Sequence, residues 1–267
     1  MLAEHRQREI LVRLDADGAV RVINLAAELG VTEETIRRDL AKLHRCGRLL
    51  RTHGGAVVDD SRRREIPFKI RQAENLVLKE AIAAEAATLV KEQAVIVLDA
   101  STTVLELARV LPDRPLTVLT NSLAVARVLS DRTKVRVVLT GGEFEPTSLS
   151  LTGAVALQTL ARFNISQAFL SCSGVDLERG LSEASDPPAQ FKQLLLELAE
   201  HTYLLADHSK FGTRSVVFFG KLQQLEAIVT DDQTSENITR RLASAGVSVI
   251  QASDPKVKQK RFVAKEQ

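Results

Sequence analysis

Cysteine is scarce in this chain: two among 267 residues, Cys46 and Cys172, far apart and with no partners at metal-ligand spacing. That excludes a disulfide scaffold and a thiolate zinc site, and it fits free thiols in a reducing compartment. Long apolar runs are missing as well. No stretch approaches the roughly 18 uninterrupted apolar residues a spanning helix needs. The first residues, "MLAEHRQREI", are charged at once, so no secretory h-region is expected there. An excess of one charge sign is absent too: the formal net charge is only +2, so any affinity for a polyanion must be local. No repeat period or low-complexity tract stands out. What is present is ordinary for a globular chain, with 45% hydrophobic and 26% charged residues. The length has room for a small domain joined to a medium one.

Local texture divides the chain. Over residues 4–46 the apolar positions fall at helical spacing in three segments. The first carries Ile10, Leu11 and Leu14 and stops at "DADG"; the second carries Leu25, Ala26 and Leu29 and ends at Gly30. Thr32 is placed to cap the third, with Glu33 and Glu34 favoured in its first turn by the helix dipole. Its core face is Ile36, Leu40 and Leu43. "GRLLRTHGGAVV" then predicts a two-stranded ribbon turning at Gly54-Gly55. Residues 59–74, with a charge cluster and Pro67, have little to bury and are expected to be a linker. From about residue 75 the pattern changes. A helix over 76–92 leads into short β-rich runs ("AVIVLDA", "LTVLT", "VRVVLT", "AFLSC", "TYLLAD", "EAIVT", "VSVI") separated mostly by helical stretches. Apolar strands alternating with helices predict a Rossmann-like, mostly parallel sheet covered on both faces, over 75–252. A polar, basic tail follows at 253–267.

The third helix holds the sharpest signal. From Arg37 to Arg51 there are six basic residues and one acid, Asp39. Turning by about 100° per residue from Ile36 puts Glu34, Arg38, Lys42 and Arg45 on the outer face, flanked by Thr35 and Arg37. Asp39 falls nearer the core, where pairing with an arginine of the same domain is expected. A short turn followed by a capped helix presenting threonine and arginine is the geometry of a helix-turn-helix reading element. Arginine can engage guanine O6 and N7 in bidentate fashion, and threonine can touch a thymine methyl or a phosphate. A wing of the form Arg51-Thr52-His53-Gly54-Gly55 would let its backbone come close to phosphates, since glycine has no Cβ to clash, and Arg51, His53 and Gly54 are its candidate contacts.

The run "Thr35-Ile36-Arg37-Arg38-Asp39-Leu40", preceded by "Leu25-Ala26…Val31-Thr32" and trailed by "Arg51-Thr52-His53-Gly54-Gly55-Ala56", resembles the DeoR-type family of bacterial transcription regulators. The resemblance implies a winged helix-turn-helix over residues 1–58 that binds double-stranded operator DNA, usually to repress genes of sugar catabolism. Thr32, Thr35, Arg37 and Arg38 match the DNA-contacting stretch of that family.

Four loops at strand ends of the second domain also carry ligand-ready groups: "Asp99-Ala100-Ser101-Thr102-Thr103", "Thr120-Asn121-Ser122", "Thr140-Gly141-Gly142" and "Asp207-His208-Ser209-Lys210". In an open parallel sheet such loops can converge on a ligand, and hydroxyls with backbone N–H groups at a helix start suit an anion. These segments resemble the C-terminal domain of the same family, which is similar to the fold of ribose-5-phosphate isomerase. That likeness implies a site for a phosphorylated sugar or related effector, with Asp99, Ser101, Thr102, Thr103, Asn121, Gly141, Gly142, Asp176, Lys192 and Lys210 as candidates. Two departures stand out. Ser101 stands where the family usually has glycine, and its Cβ is expected to crowd a cradled phosphate. "Pro187-Pro188-Ala189-Gln190" replaces an acidic run before Lys192.

The expectation is a cytoplasmic, homo-oligomeric DNA-binding regulator, with no catalytic residues, cofactor, metal or membrane partner. Two alternatives stay open: a regulator without a small-molecule effector, and an aldose–ketose phosphate isomerase built on Asp176 and Lys192.

Overall fold

A computed structural model describes residues 3–45, 49–52, 54–57 and 66–252. The basic tail, most of the expected linker, Cys46, Gly47, Arg48 and His53 lie outside the described residues, as does the side chain of Arg45. The chain forms two units, divided at Arg62 and Arg63.

In the first unit, α1 (Ala3–Asp17) leads through β1 (Ala19–Arg21) into α2 (Val22–Leu29) and α3 (Glu33–Arg45). Then come β2 (Leu50–Thr52) and β3 (Gly55–Val57). The core is Ile10, Leu14, Leu25, Ile36, Leu40 and Leu43 with Leu49 and Ala56. Each buried aliphatic side chain of this kind stabilises by about 1.5–3 kcal/mol. The expected ribbon is really a three-stranded sheet in the order β1-β3-β2, because "AVR" before α2 pairs antiparallel with β3. Three residues are too few for a period-2 pattern to show in the sequence.

The second unit opens with α4 (Phe68–Ala73) and α5 (Leu76–Ala87). Part of the expected linker is therefore helix, and Phe68 is only 4% exposed because it anchors in the core. The central sheet has seven parallel strands in the order β15-β14-β12-β9-β4-β5-β6. They are β4 (Val95–Leu98), β5 (Leu116–Thr120), β6 (Val135–Leu139), β9 (Ile165–Leu170), β12 (Ala199–Leu205), β14 (Ala227–Asp231) and β15 (Ser248–Ala252). Side chains alternate across it: Ile96 and Leu98 face one apolar layer, and Val97 between them faces the other. The first layer is closed by α5, α6 (Thr102–Val110) and α7 (Leu123–Leu129), through Ile82, Leu105 and Val125. The second is closed by α8 (Ala154–Leu160), α9 (Asp186–Leu198) and α10 (Glu236–Ser244), through Leu160, Leu195 and Leu242. This is the doubly covered parallel sheet that the run of apolar strands predicts.

Two smaller antiparallel pieces were not expected. The hairpin of β7 (Glu143–Glu145) and β8 (Ser150–Thr152) follows β6. A three-stranded sheet joins β10 (Gly174–Asp176), β11 (Gly180–Glu183) and β13 (Val217–Gly220). Among the described residues no helix is long and apolar enough to cross a membrane.

Candidate nucleic-acid interface and ligand site

The start of α3 is built by its own hydroxyls. The Thr35 N–H donates to Thr32 Oγ1 at 3.3 Å, and the two hydroxyl oxygens lie 2.9 Å apart. Thr32 thus caps the helix as the sequence predicts. Ile36, Leu40 and Leu43 face inward, and Arg37, Arg38 and Lys42 are exposed. Arg37 pairs with Glu33 at 2.7 Å and Arg38 with Glu34 at 3.2 Å, one helical turn apart. Asp39 is buried. It accepts from Arg6 Nε at 2.5 Å and Gln7 Nε2 at 2.7 Å, which ties α3 to α1. A buried arginine–carboxylate pair of this kind fixes how the outer face is presented.

In the wing, Arg51 and Gly54 are exposed and the Gly54 carbonyl accepts from the Val22 N–H at 2.9 Å. Gly55 serves the fold. A Cβ on it would come within 1.9 Å of the Val20 carbonyl oxygen, so the close approach it permits is to β1. The structure therefore presents Thr32, Thr35, Arg37, Arg38, Lys42, Arg51 and Gly54 outward or part-outward on one unit. Arg45 and His53, also expected to contact DNA, lie outside what is described.

In the second unit the ends of β4 and β9 meet α9. The Asp99 carboxylate accepts the N–H groups of Ser101 at 3.0 Å and Ser171 at 3.2 Å, and the Lys192 ammonium lies 3.3 Å away. Lys192 is also bonded to Glu183, whose carboxylate accepts from Ser173 Oγ at 2.7 Å. All three charged side chains are buried. Burial opposes the Lys192 charge, but Glu183 and Asp99 outweigh it and raise its pKa. Burial likewise opposes the Glu183 charge, yet Lys192 and the hydrogen bonds hold that carboxyl below the usual glutamate range. The neighbouring Cys172 thiol is pushed up to about 12, by burial first and then by Glu183, so it is inert at neutral pH.

A second cationic group gathers at the start of α6. Lys79 is buried and donates to the carbonyls of Arg71 and of Glu74, the latter at 2.6 Å. Thr102 Oγ1 approaches the same Arg71 carbonyl at 3.4 Å. Burial, then repulsion from Lys210, lowers the Lys79 pKa to about 8. Asp207 holds its own loop, accepting from Ser209 N at 3.0 Å, and ties that loop to the start of α5 by accepting from Asn75 Nδ2 at 3.2 Å.

Other expected residues have structural roles. Ser101 caps α6, accepting the Val104 N–H at 3.4 Å. Thr103 is buried in the first turn of the same helix. Asn121 donates to the Leu151 carbonyl at 3.2 Å, while its buried Oδ1 finds no hydrogen-bond partner among the described residues. Gly142, at φ 113°, lies against the β7–β8 hairpin, where a Cβ would meet the Thr152 carbonyl oxygen at 2.2 Å; Gly141 has only a side chain near it. Asp176 is not gathered with Lys192. Arg214 binds it at 2.5 Å and the N–H groups of Glu178 and Arg179 cap it at 3.0 and 2.7 Å. Burial opposes the Asp176 charge, but these partners hold its carboxyl below the usual range.

Three groups escaped sequence reasoning. Glu183 lies on β11, away from the segment just before Lys192 where the family resemblance implies an acid. Lys79 stands three residues before Ile82 on the buried stripe of α5, which was the available signal. Arg71 lay in the supposed linker. As for metals, Asp207, His208 and Asp231 bring one ligand atom each within 4.8 Å of one another. Asp231, however, already accepts the His208 N–H at 2.7 Å and the Gln233 N–H at 2.9 Å.

Comparison with known proteins places this geometry in a class, that of two-domain transcription regulators. Residues 6–62 match the DeoR-like helix-turn-helix domain and residues 74–232 the DeoR C terminal sensor domain. The chain is 39% identical to the HTH-type transcriptional regulator YulB of Bacillus subtilis, over 93% of this chain and 96% of that protein. It is 35% identical to the L-fucose operon activator of Haemophilus influenzae, over 88% and 95%. With the transcriptional repressor AccR of Agrobacterium fabrum it shares 33% over 86% and 90%. Among solved structures, ribose 5-phosphate isomerase A of Methanocaldococcus jannaschii overlaps 52% of this chain and 55% of its own at 19% identity and a TM-score of 0.39. The chain belongs to the DeoR family of transcription regulators.

Proposed function

We propose that this regulator binds operator DNA through α3 and the wing, and that a phosphorylated sugar or related metabolite bound in the second unit changes that affinity. The observation that carries the proposal is the outward face of α3, where Arg38 and Lys42 stand opposite the buried Ile36, flanked by Thr35, with Asp39 withdrawn into the core. For the effector, support comes from two sets of polar and cationic groups: Lys79 on α5, whose ammonium shares the Arg71 carbonyl with Thr102 and is repelled by Lys210, and the buried set of Asp99, Lys192 and Glu183. An anionic group suits the former, and hydroxyls suit the latter. Carbohydrate genes are the proposed targets, repression the proposed mode, the cytoplasm the proposed location and a homo-oligomer the proposed form. A single helix-turn-helix reads only a short half-site, and symmetric operators need a symmetric reader.

Catalysis is not proposed. An isomerase needs a carboxylate base and an electrophilic cation at the same carbon pair. Here Asp176 is engaged by Arg214 and Lys192 by two carboxylates. The test is a mobility shift on duplexes from around the protein's own gene. Arg38→Ala is expected to weaken specific binding by about 1–3 kcal/mol without unfolding. Lys42→Ala is expected to weaken all duplexes about equally and to flatten the salt dependence. If no such duplex is bound specifically, or Arg38→Ala leaves the preference intact, the proposed reading face is wrong.

A further inference from the structure

We propose that Glu34 is a specificity-determining residue, positioning Arg38 for end-on contact with a base pair and screening out random duplex. The inference rests on the reading of α3 as the DNA-reading helix and names a residue that reading leaves out. Glu34 Oε1 accepts from Arg38 Nε at 3.2 Å, and both side chains project into solvent, 63% and 80% exposed.

A guanidinium can meet guanine O6 and N7 in two ways. The side-on approach uses Nε and one terminal nitrogen; the end-on approach uses both terminal nitrogens. With Nε given to Glu34, the end-on pair is what remains to be offered. The carboxylate therefore selects one approach of Arg38 before DNA arrives, which reduces the side-chain freedom lost on binding.

The other acids of the same helix show why Glu34 differs. Asp39 is buried and spent on Arg6 and Gln7. Glu33 pairs with Arg37 on the flank of the outer face. Glu34 lies two residues before Ile36, on the side of α3 opposite the core, together with Arg38 and Lys42. An exposed pair one turn apart adds little to helix stability. An acid on a surface that meets phosphates repels every duplex alike. Its presence weakens random binding, while the orientation of Arg38 is rewarded only where a guanine edge is presented. Glu34 thus trades affinity for discrimination.

The test uses the full chain and a duplex that it enriches from a randomised pool, with a shuffled duplex of the same composition as control. Dissociation constants are measured by fluorescence anisotropy at one fixed salt concentration for wild type, Glu34→Gln, Glu34→Ala, Arg38→Ala and the variant carrying both alanines. Glu34→Ala is expected to bind the shuffled duplex more tightly, while the selected-over-shuffled ratio falls about tenfold. Glu34→Gln, which keeps an acceptor but no charge, is expected to tighten shuffled binding with a smaller fall in the ratio. In the Arg38→Ala background, removing Glu34 is expected to leave the ratio unchanged. Repeating the selection with Glu34→Ala is expected to lose preference at one base pair. Melting temperatures near that of the wild type keep these readings free of unfolding, and Glu34→Gln serves where the alanine melts early. The same factor of tightening on both duplexes would reduce Glu34 to a charge effect and overturn the inference. A ratio untouched by Arg38→Ala itself would sink the reading of α3, and this inference with it.

Discussion

Lys192 sets its ammonium 3.3 Å from the buried carboxylate of Asp99. With Glu183 bonded to the same ammonium, one positive charge stands among two negative ones, all three side chains buried. Removing the cation leaves two carboxylates facing each other without compensation. Lys192→Met is expected to destabilise the second unit by about 3–5 kcal/mol at neutral pH. Urea unfolding read by a probe in that unit checks it. The sign with pH follows from Glu183. In the wild type its folded pKa lies below its unfolded value, so it contributes stability above the unfolded value that is lost as pH falls through the folded one. In the variant the Lys192 charge is gone and burial, the largest influence, outweighs the remaining Ser173 hydrogen bond and raises the folded pKa, so the deficit is expected to shrink as the pH is lowered. A deficit constant with pH would show that charge compensation is not what Lys192 supplies.

In the first unit the analogous pair is Arg6 with Asp39. Asp39→Ala removes the buried carboxylate that both Arg6 and Gln7 bond between α1 and α3, and a destabilisation of about 3 kcal/mol is expected. The loss should appear in the unfolding of the first unit only. Operator affinity then falls through the misplacement of α3, and lowering the temperature restores part of it. Unchanged stability would remove Asp39 from the structural role given to it.

The two wing glycines separate fold from contact. Gly55→Ala places a Cβ 1.9 Å from the Val20 carbonyl oxygen, so β1 and β3 must part and the unit is expected to melt early. Gly54→Ala meets nothing within 4 Å and should melt like the wild type. Any loss of DNA affinity in Gly54→Ala is then a direct contact effect. Circular dichroism melts alongside anisotropy distinguish the two.

Lys79 predicts a titration. Its amine, lowered to about 8 by burial and by Lys210, should show that midpoint in the 13Cε shift of the free protein. In the unfolded chain a lysine keeps its proton to about 10.4. Between these values the unfolded state binds the extra proton, so Lys79 makes stability rise with pH across that window. Lys79→Met is expected to lack this increment. A phosphorylated ligand near α6 should raise the midpoint, since an adjacent anion favours the ammonium.

The seven strands of the central sheet and the buried face of α3 were legible because each is a run whose period the fold preserves. Val95–Leu98 and Ile36, Leu40 and Leu43 need only local spacing to be placed. The sensor side was less legible. Glu183 reaches Lys192 through the antiparallel β10–β11–β13 sheet, a pairing among short strands that leaves no periodic trace. The family motifs group Asp176 with Lys192, yet Arg214, 38 residues away in sequence, holds it. Ser101, expected to crowd a phosphate, turns its hydroxyl to capping α6. Partners supplied by distant segments decide such roles, and spacing along the chain cannot reveal them.

The most direct trial of the regulator proposed here is a ligand titration of the protein–operator complex. The wild-type chain on its selected duplex is exposed to a panel of phosphorylated sugars and the same sugars without phosphate, and anisotropy follows the affinity. At least one phosphorylated sugar is expected to change operator affinity by about tenfold, with a coupling of roughly 1–3 kcal/mol. Its unphosphorylated counterpart is expected to do nothing at the same concentration, and Lys79→Met is expected to abolish the response. A complex indifferent to every phosphorylated sugar, or one shifted equally by the sugar without its phosphate, would contradict it.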